Sequence, residues 1–140
     1  MSNIPARLRP HVQHELSAAA AARRRKDVDG AWRHLERAHI LSQPAAWLHN
    51  RVHLAMLVLS VRTRDGRELW GQIVRLAVAT VASLSGRFPG GNTGRARVPI
   101  TQSMPVPADI LQTLESVGAE VQGVTVWGGR RAVAARAGEP

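Results

Sequence analysis

Three of the six histidines in this sequence lie in one stretch, residues 35–57, which reads LERAHILSQPAAWLHNRVHLAML. Glu36 precedes His39 by three residues and His49 precedes His53 by four, so each pair shares one face of a helix. Burying such groups is costly unless they are paired, and a cation placed between them removes most of the penalty. The spacing therefore predicts a metal site with Glu36, His39, His49 and His53 as ligands.

The composition restricts the ligands of this metal but does not identify it. The chain has no cysteine, so any metal is held by imidazole, carboxylate or amide groups. Such ligands suit several divalent transition metals, among them zinc, iron and manganese, and do not select one. If the protein is an enzyme, an open coordination position would bind water or dioxygen, with Glu68 or Glu36 as the catalytic general base.

Polar residues elsewhere in the chain could complete the site. Glu68, Gln72 and Arg75 follow one another at steps of four and three residues, which places them on one helix face. His11 and Glu15 are four residues apart near the N-terminus, and Glu15 is a further candidate ligand. The residues predicted to orient the ligands or to hold a substrate anion are Gln43, Gln72, Arg75, Asn92, Thr93 and Arg95.

Two other interpretations of the sequence stay open. The polar residues could form a buried hydrogen-bond network that fixes the helix register without a metal. The chain could also be a binding module, because 19 basic residues against 10 acidic residues give a net charge of +9. Within residues 1–26, Glu15 is the one acidic residue among Arg7, Arg9, Arg23, Arg24, Arg25 and Lys26. Such a basic segment can attract nucleic acid or an acidic protein, although no nucleic-acid recognition motif accompanies it.

The order of helix signals predicts an all-α protein. Asp27 or Asp29 is suited to cap a second helix, Pro44 can open a third, and Asp65-Gly66 marks a turn before a fourth. Connections this short place consecutive helices as antiparallel neighbours, so we expect an up-and-down four-helix bundle. The predicted helices cover about residues 5–26, 27–42, 45–62 and 67–83, and the last has apolar positions at Leu69, Ile73, Leu76 and Val81.

The pattern changes after the fourth helix. Residues 86–107 are rich in Gly and Pro and predict a long, ordered loop laid across the bundle. A short helix is predicted at 108–117, and the remainder reads either as a C-terminal hairpin or as a flexible tail. These features predict a bundle domain with its covering loop at 1–117 and a C-terminal appendage at 118–140.

Within the loop, the stretch GGNTGRAR at residues 90–97 could cradle an anion through its backbone amides. It lacks the Gly-Lys-Ser/Thr of a Walker A loop. The stronger interpretation is a tight turn, in which Asn92 and Thr93 hydrogen-bond to nearby backbone groups.

Nothing in the sequence indicates export or a membrane span. The first residues, MSNIPARLRPH, lack the apolar segment of a signal peptide, and the longest apolar run, residues 54–59, is too short to cross a bilayer. We expect a cytoplasmic protein of bacterial type with no membrane partner. The partners left open are a small anionic ligand, nucleic acid as a secondary choice, and further copies of the chain.

Several motifs occur here in a characteristic order: LERAHIL, His-x-x-x-His before Met-Leu, RELWGQIVR, PGGNTG and MPVP. In this order the chain resembles a bacterial family known as domain of unknown function thirty-seven-oh-three, over roughly residues 12–111. The resemblance implies a shared site but no biochemical role. It falls on Glu36, Arg37, His39, Gln43, His49, His53, Met56, Glu68, Gly71, Gln72, Arg75, Asn92, Thr93, Gly94, Met104 and Pro105.

One departure from that family pattern concerns charge. Arg95 and Arg97 stand where the resemblance implies a small residue and an amide residue. If the loop borders the site, two positive charges there would favour an anionic ligand.

Overall fold

The structure is a computed structural model that describes residues 3–82 and 90–119. The predicted all-α class is confirmed, because this part of the chain contains five helices and no strand. The helices are α1 (Ile4–Arg24), α2 (Val28–Ser42), α3 (Ala46–Thr63), α4 (Gly66–Ala82) and α5 (Ala108–Ser116).

Side-chain caps begin two of these helices at the predicted turns. Asp27 Oδ1 accepts a hydrogen bond from the Gly30 amide at 2.8 Å, so Asp27 rather than Asp29 caps α2. Asp65 Oδ1 accepts one from the Glu68 amide at 3.0 Å and caps the start of α4. Both caps satisfy amides that have no partner within their own helix, which lets the chain reverse within a few residues.

The four long helices form the predicted bundle. Helix α1 packs along α2, α4 packs along α3, and contact between α2 and α3 joins the two pairs. Smaller contacts link α1 to α3 and α5 to α2. Leu8 and Val12 of α1, Leu35 of α2, and Leu48 and Met56 of α3 are buried in a shared apolar core. This core holds the helices that carry the three histidines in fixed positions.

Helix α4 has an unusual distribution of polar residues. Glu68, Gln72 and Arg75 are buried, whereas Ile73, one of the apolar positions that indicate this helix, is exposed. A helix at the surface of a bundle normally buries its apolar face. The interior is therefore polar where α4 meets α3.

The Gly- and Pro-rich loop lies against the bundle over its described residues, 90–107. The Gly91 amide donates to Gln43 Oε1 at 3.3 Å, and Gln72 Nε2 donates to the Gly94 carbonyl at 2.9 Å. These bonds fasten the loop to the C-terminal end of α2 and to α4, so it crosses the end of the bundle that contains the histidines.

Two predicted features fall outside the described residues. They are the first part of the loop, residues 86–89, and all of the predicted C-terminal hairpin or tail beyond residue 119. The boundary between a bundle domain and an appendage at 117/118 stays a prediction. None of the described helices combines the length and the apolar character that crossing a membrane requires.

Candidate metal centre

His39, His49 and His53 meet inside the bundle, between α2 and α3. All three are buried, and each offers one ring nitrogen within 4.8 Å of those of the other two. Their ring centroids are 4.3 Å apart for His39 and His49, 4.8 Å for His39 and His53, and 4.7 Å for His49 and His53. The four-residue step stacks His49 and His53 along α3, and α2 presents His39 to both. The structure thus brings together the three histidines that the sequence predicts as ligands.

Hydrogen bonds to Nδ1 fix the tautomers of two of these rings. His39 Nδ1 lies 2.7 Å from the Asn92 carbonyl oxygen, and His53 Nδ1 lies 2.8 Å from Gln72 Oε1. Both oxygens are acceptors, so both Nδ1 atoms carry the proton and both Nε2 atoms carry a lone pair. The two Nε2 atoms face each other at 3.3 Å. Two nitrogens that could bind a metal therefore point at the same small volume.

The orientation of the Gln72 amide follows from its other contacts. Gln72 Nε2 donates to Glu68 Oε1 at 3.1 Å and to the Gly94 carbonyl at 2.9 Å. With both N–H groups used, the amide oxygen must be the atom that faces His53. Glu68 Oε1 also accepts from the Ala96 amide at 2.8 Å, which ties the loop to the same network. A chain of bonds from Glu68 through Gln72 thus orients the imidazole of His53.

His49 is oriented by a neighbouring hydroxyl. Its Nδ1 lies 3.1 Å from Ser42 Oγ, and the Ser42 hydroxyl donates to the His39 carbonyl at 2.9 Å. The hydroxyl proton is directed to that carbonyl, so Ser42 Oγ offers a lone pair to His49 Nδ1, and the His39 carbonyl is a second acceptor beside the same imidazole. If His49 binds a metal with its other nitrogen, all three rings use Nε2.

The loop covers His39 at close range. A side chain at Gly94 would bring its Cβ to 2.5 Å from His39 Cδ2 and 2.7 Å from Nε2. Gly94 also has a φ of +78°, a conformation that favours glycine. Asn92 Oδ1 accepts from the Gly94 amide at 2.9 Å and closes the tight turn that the sequence predicts here, while Thr93 lies between them, half-buried. The backbone of the turn therefore forms one wall of the histidine cluster.

Burial lowers the pKa of all three imidazoles. The pKa of His49 falls to about 3, mainly through loss of solvation and further through the neighbouring His53. The pKa of His39 falls well below its usual range for the same reason, with His49 and His53 as the next contributors. Burial also lowers the pKa of His53, although its bond to Gln72 acts in the opposite direction. The rings are therefore neutral at pH 7, the state in which imidazole binds metals.

These pKa shifts predict how the stability of the metal-free protein depends on pH. Below the usual histidine pKa of 6.5, the unfolded chain binds protons at His39, His49 and His53 that the folded chain does not bind. Above pH 6.5 these histidines therefore do not lower the free energy of unfolding. Below pH 6.5 the free energy of unfolding decreases as the pH falls toward about 3, where His49 titrates. Each withheld proton contributes a slope of about 1.4 kcal/mol per pH unit.

Urea unfolding of the metal-free protein at intervals between pH 7.5 and 4.5 measures this slope. A His49→Leu variant removes one of the three groups and should show a shallower slope than the wild type. Equal slopes in the two proteins would contradict neutral burial of His49.

Glu36 stands outside the histidine cluster. Among the described residues, the group whose ligand atoms could share one cation contains the three histidines and neither Glu36 nor Glu68. Glu36 Oε1 lies 3.3 Å from Arg95 Nη1. Burial raises the pKa of Glu36, and the charge of Arg95 opposes that rise. The ligand role of Glu36 stays a prediction that no contact with the imidazoles supports.

Arg95 is surrounded by groups that balance its charge. Besides Glu36, its Nε lies 3.2 Å from Glu68 Oε2, a charge contact without the geometry of a hydrogen bond. Its guanidinium carbon lies 3.9 Å from the centre of the Trp32 ring. The loop does border the site, but these contacts direct Arg95 to two carboxylates and an indole. Arg97, the other charge that the sequence suggests for an anionic ligand, is exposed.

Two of the residues predicted to support the site bind the loop. Arg75 Nη2 donates to the Arg95 carbonyl at 2.9 Å and also to the Val98 carbonyl. Gln43 Oε1 accepts from the Gly91 amide. Both residues position the covering loop on the bundle.

Glu15, the further candidate ligand, belongs to a different cluster. Its carboxylate contacts His34 Nδ1 and Arg37 Nε, each at 2.7 Å, and Arg37 also pairs with Asp109 of α5. His11, four residues before Glu15, is exposed. The cluster joins α1, α2 and α5 and lies apart from the three histidines.

Sequence reasoning missed Ser42. This residue is buried at the end of α2 and contacts both His39 and His49. Its position three residues after His39, just before the turn into α3, could have indicated a hydroxyl near both histidines. No sequence signal could have indicated the Asn92 carbonyl, because every residue carries a backbone carbonyl.

The fold and the site define a small helical-bundle protein with a buried cluster of three histidines. The chain belongs to the family described as a protein of unknown function (DUF3703), whose model matches residues 6–114. This match confirms the resemblance and extends over the bundle, the loop and most of α5. No curated protein and no solved structure matches the chain.

Proposed function

We propose that this protein binds one divalent transition metal ion through the Nε2 atoms of His39, His49 and His53. The proposal rests above all on the facing Nε2 atoms of His39 and His53, 3.3 Å apart. Their tautomers leave two lone pairs directed at each other, which is unfavourable in a buried site unless a proton or a cation lies between them. Burial lowers the pKa of both rings and opposes the proton, so a metal cation is the better solution.

The separation of these two atoms also fits a metal. A zinc–imidazole bond is 2.0–2.1 Å long, so two nitrogens on a tetrahedral ion are about 3.3 Å apart. The observed distance between the Nε2 atoms of His39 and His53 has this value. Zinc, iron and manganese all accept imidazole ligands, and this distance does not select among them.

The surroundings resemble those of known metal sites in kind. Histidine ligands usually donate their second N–H to a carbonyl, carboxylate or water, which fixes the ring and raises its basicity. Here Asn92, Gln72 and Ser42 each face the Nδ1 of a different histidine. Three neutral ligands leave a coordination position for water or a small anion. The general-base role of Glu68 or Glu36 stays a prediction, because both carboxylates face Arg95 in this structure.

Thermal unfolding with and without metal tests this proposal. A ligand that binds only the folded state stabilises it by about 2.7 kcal/mol at a free concentration 100 times its dissociation constant. We expect zinc, iron(II) or manganese(II) to raise the melting temperature of metal-free protein, and excess EDTA to reverse the rise. An unchanged melting temperature with all three metals would favour a hydrogen-bonded cluster without a metal.

A further inference from the structure

Two turns of the bundle concentrate positive charge at one end of the molecule. Residues 23–29 join α1 to α2 and residues 62–67 join α3 to α4, and together they hold seven basic residues against three acidic ones. Consecutive helices run antiparallel, so both turns lie at the end of the bundle opposite the histidines. Arg23 accordingly lines one groove with Val58 and Leu59 of α3. We call residues 23–29 and 62–67 the basic end.

The cations of the basic end do not stabilise the fold through polar contacts. Nearer the histidines, Arg37, Arg75 and Arg95 bind carboxylates or backbone carbonyls. Within the part of the chain that the structure describes, no basic side chain of the basic end makes a hydrogen bond or an ion pair. Six of the seven are exposed: Arg24, Arg25, Lys26, Arg62, Arg64 and Arg67.

Both turns place a cation where the backbone favours glycine. Lys26 has a φ of +62° and Arg64 has one of +55°, and these two are the described residues other than glycine with a positive φ. In each turn the amide of the following aspartate, Asp27 or Asp65, donates at 3.0 Å to the carbonyl five residues earlier. Helix α5 ends with the same kind of bond, at 2.9 Å, but has Gly118 at the corresponding position.

The two cations therefore occupy positions that cost stability. A left-handed backbone strains any residue with a Cβ, so glycine at either position would relieve the fold. Strained residues cluster at functional sites, and the property that Lys26 and Arg64 share is positive charge. Two similar turns thus present cations at fixed backbone positions on one surface.

From these turns we propose that the basic end binds the phosphate backbone of nucleic acid without reading the base sequence. Six of its seven cations are arginines, whose planar guanidinium group can bind a phosphate through two parallel hydrogen bonds. Nucleic acid repeats its phosphates along a chain, so one molecule can contact both turns at once. The turns contain no aromatic residue that could stack on a base. Binding therefore depends on charge.

Two other kinds of anionic partner fit the basic end less well. Segments that bind anionic membranes combine basic residues with large apolar ones such as Trp, Phe or Leu, and neither turn contains one of these. Protein interfaces are enriched in aromatic residues, which both turns lack. The segments outside the described residues do not neutralise the basic end, because residues 83–89 and 120–140 together contain four arginines and two glutamates.

Fluorescence anisotropy with a labelled DNA duplex of about 20 base pairs tests this proposal. The logarithm of the binding constant should fall linearly with the logarithm of the salt concentration, with a slope of about −3.6 or steeper for four or more phosphate contacts. Scrambling the base sequence should leave the affinity unchanged. Duplex RNA and single-stranded DNA of the same length, measured in parallel, identify the form of nucleic acid that binds most tightly.

Replacing Lys26 and Arg64 together with glycine separates charge from structure. The Lys26→Gly, Arg64→Gly protein should bind the duplex at least about tenfold more weakly at about 50 mM salt, with a slope shallower by about 1.8. Its melting temperature should equal or exceed that of the wild type, because glycine relieves both left-handed positions. The matched control is Arg7→Gln with Arg9→Gln, which removes two exposed charges from the opposite end of α1 and should bind like the wild type.

Several results would overturn the proposal. They are a salt slope near zero, an affinity that depends on the base sequence, and a Lys26→Gly, Arg64→Gly protein that binds like the wild type. Equal weakening in the Arg7→Gln, Arg9→Gln protein would overturn it by assigning binding to the whole of α1. Tighter binding to phosphatidylserine vesicles or to poly-L-glutamate than to nucleic acid would overturn it in favour of a membrane or an acidic protein.

Discussion

Replacing both His49 and His53 with alanine is expected to remove metal binding. The substitution takes away two of the three proposed ligands and leaves His39 as the one histidine of the cluster. Loss of a group that merely orients a ligand typically costs 10–100-fold in metal affinity, so the loss of two ligands should exceed about 100-fold. Competition with a chromophoric chelator measures the dissociation constants of the wild type and the variant.

The matched control is a protein with His11→Ala and His14→Ala. It loses the same number of imidazoles, but both residues are exposed on α1, away from the cluster. It should bind metal with the affinity of the wild type. Because two alanines leave space in the interior, His53→Leu provides a second test that preserves most of the volume. Unimpaired metal binding in the His49→Ala, His53→Ala protein would show that the metal is held elsewhere.

Replacing Gly94 with alanine is expected to have the second-largest effect. The new Cβ would lie 2.5 Å from His39 Cδ2, well inside contact distance, so the loop or the imidazole must move. The positive φ of Gly94 adds strain of about 1–2 kcal/mol for any other residue. We expect metal affinity to fall at least about 10-fold, because His39 is displaced from the position that its bond to Asn92 defines.

Gly118 provides a control for the backbone strain alone. Its φ is +76°, close to that of Gly94, but a Cβ there would meet no atom within 4 Å. Gly118→Ala should therefore lose stability without losing metal affinity, whereas Gly94→Ala should lose both. If the two variants bind metal equally well, close packing of the loop on His39 has no role in binding.

The histidines of the site could be predicted from their spacing because helical periodicity is regular. A four-residue step places His49 and His53 within 40° of each other around α3. Glu36 and His39 differ by a three-residue step, which falls 60° short of a full turn. In the structure Glu36 is half-buried beside Arg95, whereas His39 is buried with the other histidines. Spacing alone does not determine which of two such residues points into the core.

The sequence predicts the tight turn of the covering loop, but it does not predict which groups of the loop contact the histidines. The glycines and Asn92 indicate a tight turn, and the Asn92 side chain does bond to the Gly94 amide. What orients His39 is the backbone carbonyl of Asn92, whose position depends on how the loop folds over the bundle. Likewise, Arg95 suggested an anionic ligand, and only the structure places it between Glu36 and Glu68.

The tryptophans show a similar limit. In a sequence with one Phe and no Tyr, core or interface positions are favoured for Trp32, Trp47, Trp70 and Trp127. Trp32 is buried beneath Arg95, whereas Trp47 and Trp70 are largely exposed, and Trp127 lies outside the described residues. Residue type indicates that a tryptophan packs against something. On α4, the polar site holds Glu68, Gln72 and Arg75 inside the bundle, so the face with Trp70 points outward.

The metal content of the purified protein decides whether His39, His49 and His53 hold a metal ion. The protein should be produced without a His tag, incubated with zinc, iron(II) or manganese(II), desalted and analysed by inductively coupled plasma mass spectrometry. Binding through His39, His49 and His53 predicts close to one metal ion per chain in the wild type and almost none in the His49→Ala, His53→Ala protein. A wild type that retains none of the three metals would contradict the proposed site.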